Sequence, residues 1–170
     1  MADEIVNRTE ENIADGIAAV IESVTTASVV ISDEKFSEAT ADLLRLLASA
    51  AKGKPLSGWV MSFDQIVSQD DEGTGQVAIV YGYELTYIQE YLNKWPTGGN
   101  SKKACSREIF TVNNALNIKR NLGFDNNVRH QCLVSTEPIG MGESTGPNKL
   151  FHIAPFSLNV QDINYYQESY

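Results

Sequence analysis

The longest regular signal in the chain is an alternation of apolar and polar positions. Val77, Ile79, Tyr81, Tyr83, Leu85, Tyr87 and Tyr91 fall on one face, interrupted only by Gln89. A period of two over that length predicts a strand well beyond the usual ~5–6 residues, reaching roughly 50 Å if unbroken. A strand that long must bend, bulge or project toward a partner. Leu56 to Gln69 carries a second alternation, with Trp59, Met61, Phe63 and Val67 set against Ser62, Asp64 and Ser68. Between the two lies Asp70-Asp71-Glu72-Gly73-Thr74-Gly75, a turn with an acidic tip, so the pair reads as an antiparallel hairpin.

Helical spacing precedes the hairpin. Thr9 suits an N-cap, and Glu10 and Glu11 sit in the first turn, where the helix dipole favours acids. Ile13, Ile17, Val20, Ile21 and Val24 then follow at the spacing of one helix face. Val29-Val30-Ile31 reads equally as a brief strand or a buried link. A second helix is predicted from Ser32, with Asp33 and Glu34 in its first turn and Phe36, Ala39, Leu43, Leu47 and Ala50 as its stripe. Gly53 and Pro55 end it.

After the hairpin, Asn93 to Asn100 is a loop holding Trp95-Pro96-Thr97-Gly98-Gly99. A helix is predicted over Ser101–Leu122, with Cys105, Ile109, Val112 and Leu116 on one face and Gly123 as its stop. Lys102, Lys103 and Arg107 stand at its N-terminal end, which is unfavourable for cations and invites a compensating acid. Val128 to Glu137 is a third strand, Pro138 to Asn148 a loop, and Leu150 to Ile163 a fourth strand. Pro155 implies an edge position or bulge in that strand. The polar tail Asn164–Tyr170 carries three tyrosines and is expected to be mobile until bound. The pattern predicts one α+β domain over residues 1–170: a mostly antiparallel four-stranded sheet, helices packed on one face, and two N-terminal helices.

Composition narrows the partners. At 170 residues the chain can bury about 70% of its unfolded surface, so it needs no metal or disulfide to fold. There are 13 Lys+Arg against 22 Asp+Glu, a net charge of -9. Non-specific nucleic-acid binding depends on neutralising phosphates, which this balance opposes. An acidic surface can still lie beside DNA without sticking to it. Met1-Ala2-Asp3-Glu4 lacks the basic, then apolar, start of a signal peptide, and no stretch approaches the ~20 apolar residues of a membrane span. The expected protein is soluble and made in a cytoplasm, with Cys105 and Cys132 as buried thiols instead of a disulfide.

Little in the chain carries chemistry. Gly142-Glu143-Ser144-Thr145-Gly146-Pro147-Asn148-Lys149 resembles a phosphate loop only superficially. Pro147 stands where the second glycine belongs, and a strand follows. His130 and Cys132 are two apart on one strand; with His152 and Cys105 they form a conceivable zinc set, though Val128 and Val134 on the same face look like core. A Cys132–His152 pair is a conceivable thiol nucleophile and base, and no serine stands in a GxSxG elbow. The tyrosine stripe packs against the Ser101–Leu122 helix or is exposed in a protein interface, where tyrosine is enriched. No catalytic, cofactor-binding or metal residue is therefore assigned.

The segments Tyr83–Tyr91, Asn100–Leu122, Val128–Thr136 with His130, and Leu150–Val160 follow in an order that resembles the tail-terminator and neck proteins of tailed bacteriophages. The resemblance covers roughly two-thirds of the chain. It departs from that family in having two substantial helices before the hairpin. It implies a non-enzymatic virion subunit, synthesised in the host cytoplasm, forming a homo-oligomeric and commonly hexameric ring. Such a ring ends the tail tube and joins it to the head connector, with DNA passing through the lumen unbound and no membrane involved. Expected contact residues are Asp70, Asp71 and Glu72 at the hairpin tip, Trp95, Lys102 and Lys103, and Tyr165, Tyr166 and Tyr170 in the tail. The Pro138–Asn148 loop is a further contact segment. The competing classes are a small metal-dependent or thiol enzyme and a protein-binding adaptor.

Overall fold

The computed structural model describes residues 9–32, 55–71, 76–143 and 149–165, with side chains except at 68–71, 76, 77, 143, 164 and 165. Helix α1 (Glu10–Glu22) begins as the sequence implies. Thr9 Oγ1 accepts from the Asn12 backbone N–H at 3.3 Å, and Asn12 Oδ1 accepts from Thr9 N–H at 3.1 Å, a reciprocal cap that satisfies two otherwise orphaned donors. Ile13, Ile17, Val20 and Ile21 form the buried face. Strand β1 (Ser28–Ser32) follows, so the β-branched run is a strand.

Strands β2 (Ser57–Asp71) and β3 (Gln76–Glu90) are the predicted hairpin, each 15 residues long. They pair antiparallel from Ser57↔Gln89 to Asp71↔Gln76, with a bulge between Phe63 and Gln65. Helix α2 (Ser101–Ile118) starts at Asn100, whose side chain accepts from Lys103 N–H at 2.9 Å. It stops four residues short of the predicted Leu122. Leu122 (φ 54°) and Gly123 (φ 83°) both take the left-handed conformation that breaks the helical path. Strands β4 (Val128–His130), β5 (Val134–Ser135), β6 (Gly140–Glu143) and β7 (Leu150–Tyr165) complete the chain.

The sheet corrects the four-stranded antiparallel expectation. It has seven strands and is mixed, in the order β1-β2-β3-β7-β4, with β5 and β6 also on β7. Strand β1 runs parallel to β2, from Ser28↔Gly58 to Ser32↔Ser62. The predicted third strand is divided: β4 pairs with residues 160–162 of β7, β5 with 156–157, and β6, inside the predicted Pro138–Asn148 loop, with 150–153. The physical reason is length. At 16 residues, β7 offers more backbone donors and acceptors than one short strand can satisfy, so the chain follows it down in three pieces. Pro155 lies at the gap between β5 and β6. Its carbonyl accepts from Thr136 N–H at 3.1 Å, on the side where the chain leaves the sheet, so its missing N–H costs no ladder bond to β3. The expected edge character is thus local, within a strand that is otherwise interior.

Among the described residues there are two helices, of which one is N-terminal; the second helix expected from Ser32 does not start there, because Ser32 closes β1, and the rest of it, 33–53, lies outside the described residues. Both described helices cover one face of the sheet. Trp59, Met61, Tyr83, Leu85, Tyr87, Leu158 and Val160 are buried there beneath Ile13, Ile17, Ile21, Val112 and Leu116. Gly16 permits the close approach of the segment after α2: a Cβ at that position would lie 2.6 Å from Phe124 Cε2. Gln89, the polar break in the tyrosine stripe, is buried and satisfied. Its Nε2 donates to Ser101 O at 2.7 Å, and its Oε1 accepts from Tyr87 O–H at 2.8 Å. On the opposite face a smaller apolar cluster, Val60, Ile88 and Phe151, sits at the β1 end.

Candidate interaction surface

The expected contact residues fall into two groups at opposite ends of the sheet. At the tip, the register puts Asp71 and Tyr165 on either side of Gln76 in one rung, with Asp70 opposite Val77. The expected mobile tail is strand through Tyr165. Glu72, Tyr166 and Tyr170 lie outside the described residues. At the other end are Trp95, Lys102 and Lys103. The loop bearing Trp95 is closed by Trp95 N–H to Gly99 O at 2.8 Å and Gly98 N–H to Trp95 O at 2.9 Å. Gly98 and Gly99, at φ 99° and 77°, take the left-handed conformations this turn needs. Lys102 and Lys103 are exposed in the first turn of α2, which contains no acidic residue. Fifteen residues of strand put the two groups roughly 50 Å apart.

Between the two ends, the helix-bearing face has a groove of about 460 Å³, bounded by Glu10, Glu11 and Asp15 of α1 and floored by Ile31, Met61 and Phe63. Tyr83 lines it and donates from its hydroxyl to Glu10 O at 2.6 Å. Burial, then the neighbouring Tyr81 and Glu10, push the Tyr83 phenol well above its ordinary value, so it stays a neutral donor. The outward side of α2 carries Lys103, Arg107, Phe110, Asn114 and Ile118, all exposed and spaced as one helical stripe. Phe110 is 71% exposed and Ile118 75%. Sequence reasoning missed both surfaces. The signal was present at α2, because Phe110 and Ile118 fall off the Cys105–Val112–Leu116 face.

A smaller cleft, about 190 Å³, opens beside Trp95, Thr97 and Arg107. Glu108 lies in it, accepting from Thr25 O–H and, at 3.3 Å, from Trp59 Nε1–H. Its carboxylate ties α2 to the α1–β1 turn and to β2.

The candidate zinc residues do not converge. Among the described residues no three His, Cys, Asp or Glu side chains are grouped to hold a metal. Cys105 is buried under α2, where burial, reinforced by the Glu108 carboxylate, pushes its thiol up to about 11 and disfavours the thiolate. Cys132 is exposed, which corrects the expectation of two buried thiols. Of the two valines expected as core, Val128 is fully buried in it, while Val134 is 57% exposed. Strand β4 ends at His130, and in the irregular link to β5 both Gln131 and Cys132 are exposed, so the alternation does not carry across. His130 is fixed instead between the carbonyls of Leu116 and Gln131, each 2.5 Å from a ring nitrogen. His152 contacts Ser101 Oγ at 2.9 Å, and burial, then Lys102, lowers its pKa. Ser101 is itself completely buried, so this pair joins β7 to the start of α2 and presents no nucleophile. The tyrosine stripe is resolved toward packing: Tyr81, Tyr83 and Tyr87 are buried, while Tyr91 is exposed just beyond β3 and meets the His152 ring at a tilt of 51°, centroids 5.5 Å apart.

The most open part of the sheet is the outer half of β2. Strand β1 pairs only as far as Ser62. From Gln65 to Asp71 the outer edge of β2 has no strand partner among the described residues. Ile66, on the helix-bearing face, is 52% exposed, and Val67, on the opposite face, 41%. No helix among the described residues is long and apolar enough to cross a membrane. The chain matches no protein-family model, and no curated protein matches it.

Proposed function

We propose that this chain is a structural, non-enzymatic subunit of a tailed-phage neck or tail. Copies close into a ring that ends the tail tube and joins it to the head connector. The observation that carries this reading is the outer half of β2: its outer edge has no strand partner among the described residues, and Ile66 and Val67 are exposed on opposite faces. An unpaired edge of that length is a liability in an isolated chain and a docking element in an assembly. The bulge at its start, between Phe63 and Gln65, is a device that increases local twist and bends a strand. The net charge of -9 suits a lumen through which DNA slides without adhering. The virion neck is then the place of action, with the tail tube and connector as further partners.

Native mass spectrometry and light scattering on the purified chain, with electron microscopy in the presence of tail tube, test this. A closed ring of defined stoichiometry, seated on tube ends, is the expected result. A strict monomer at high concentration, with no ring on tube ends, would sink the proposal.

A further inference from the structure

We infer that the exposed stripe of α2 docks into the acidic groove of a second copy, making a head-to-tail contact between subunits. The inference rests on the ring reading and names the surfaces that close it. Three observations carry it. The first is unspent apolar surface on a helix. Phe110 and Ile118 stand exposed on the outer side of α2, while the opposite side of that helix is fully used against the sheet. Large aromatic side chains left in water on a rigid helix are the residue type that anchors interfaces.

The second is a receiving shape. The groove between α1, β1 and β2 encloses about 460 Å³ above Ile31, Met61 and Phe63. That is within the ~300–1,000 Å³ of clefts that take a compact apolar body with a few polar contacts. A phenylalanine ring together with the aliphatic stem of a neighbouring arginine fits such a space.

The third is charge. Lys103 and Arg107 lie on the stripe two turns and one turn before Phe110, and Glu11 and Asp15 lie on the groove rim one turn apart. Among the described residues none of these four forms an ion pair. In a chain with net charge -9, a basic stripe meeting an acidic rim lowers the repulsion between copies and sets their orientation. The two surfaces belong to different elements and do not overlap. Each copy can therefore give its stripe to one neighbour and its groove to the other, which is the heterologous geometry that closes rings.

The test uses the full chain and paired charge reversals at exposed positions. Variant one is Lys103→Glu with Arg107→Glu; variant two is Glu11→Lys with Asp15→Lys. Each alone is expected to weaken self-association by about tenfold or more in sedimentation or native mass spectrometry. Thermal unfolding of the monomer is expected to be unchanged or slightly raised for variant one and slightly lowered for variant two, which puts a lysine into the first turn of α1. An equimolar mixture of the two, and a chain carrying all four reversals, are expected to reassemble. Phe110→Ser is expected to weaken association by about thirtyfold, as removal of a central aromatic anchor does.

Wild-type rings with reversed variants that assemble equally well would overturn this contact and leave the ring reading standing. So would reversals that dissociate but do not recover on mixing. Groove reversals that leave assembly unchanged and lower the monomer's melting temperature well beyond the small loss a lysine at the helix N-terminus brings would assign the groove to another part of the same chain, again overturning the contact. A wild-type chain that never assembles removes the ring reading itself.

Discussion

The two halves of the β2–β3 hairpin have similar alternating patterns and opposite surroundings. At the open-ended base, next to α1 and α2, Trp59, Met61, Leu85 and Tyr87 are buried on one face and Val60 and Ile88 on the other. Beyond the bulge, Gln65, Ile66 and Val67 of β2 are exposed on both faces, and the strand edge has no partner among the described residues. The difference lies in what is laid over the strand, because period-two patterning sorts side chains between faces but does not supply a cover. The covered half therefore carries the stability of the monomer. The open half is available for association.

That contrast can be broken most severely at the base. Trp59→Ala removes a fully buried ring that stacks on Tyr87 at 5.0 Å and donates to Glu108. It is expected to cost about 3–5 kcal/mol in chemical denaturation, and a loss under ~1 kcal/mol would refute the covered-half account. Gly16→Ala comes next. Alanine is the better helix former by ~1 kcal/mol, but its Cβ would meet the Phe124 ring, an overpacking that costs about 1–3 kcal/mol. A net loss of about 1 kcal/mol is expected, relieved by adding Phe124→Leu; a stabilised Gly16→Ala would show that the approach is not tight.

A gentler probe is pH. The pKa of His152 is lowered from its ordinary 6.5 by burial and then by Lys102. The unfolded chain therefore takes up this proton at higher pH than the folded one. The stabilisation is complete above about 6.5 and is lost as pH falls through that value toward the lowered folded pKa. Urea midpoints measured from about pH 8 to about pH 5 are expected to fall on acidification, and the His152→Gln variant to show a smaller fall. Equal slopes would remove His152 from the account. Smallest of all for monomer stability is Ile66→Ser, expected within ~0.5 kcal/mol of wild type. The same substitution is expected to weaken self-association severalfold, and an unchanged assembly would exclude the open arm from the interface.

Much of the fold was legible along the chain. Thr9 with its acidic first turn marked α1, the Val77–Tyr91 alternation marked β3, and Gly123 marked the end of the α2 region. The errors share a cause. Counting four strands treated Val128–Glu137 as one element and the Pro138–Asn148 loop as none, because short strands have no periodicity of their own. Segments β4, β5 and β6 exist through pairing with β7, which lies 20 or more residues away for β4. The parallel pairing of β1 with β2 is likewise non-local. For the site, the expected contacts at the tip and at Lys102 and Lys103 were read from charge and loop composition. The groove was not legible, because Glu11, Ile31 and Phe63 meet only when α1, β1 and β2 are assembled.

The amino-acid sequence by itself determined where the long strands and the two described helices run and which of their faces are apolar. It also determined that the chain is acidic. Local propensity and periodicity act over a few residues, and these properties need nothing more. Only the tertiary structure decided the mixed order of the sheet and that Cys105 is buried while Cys132 is exposed. It also decided that Phe110, Ile118, Ile66 and Val67 remain exposed. Those depend on which surfaces are brought together across the chain, and burial is a property of that arrangement.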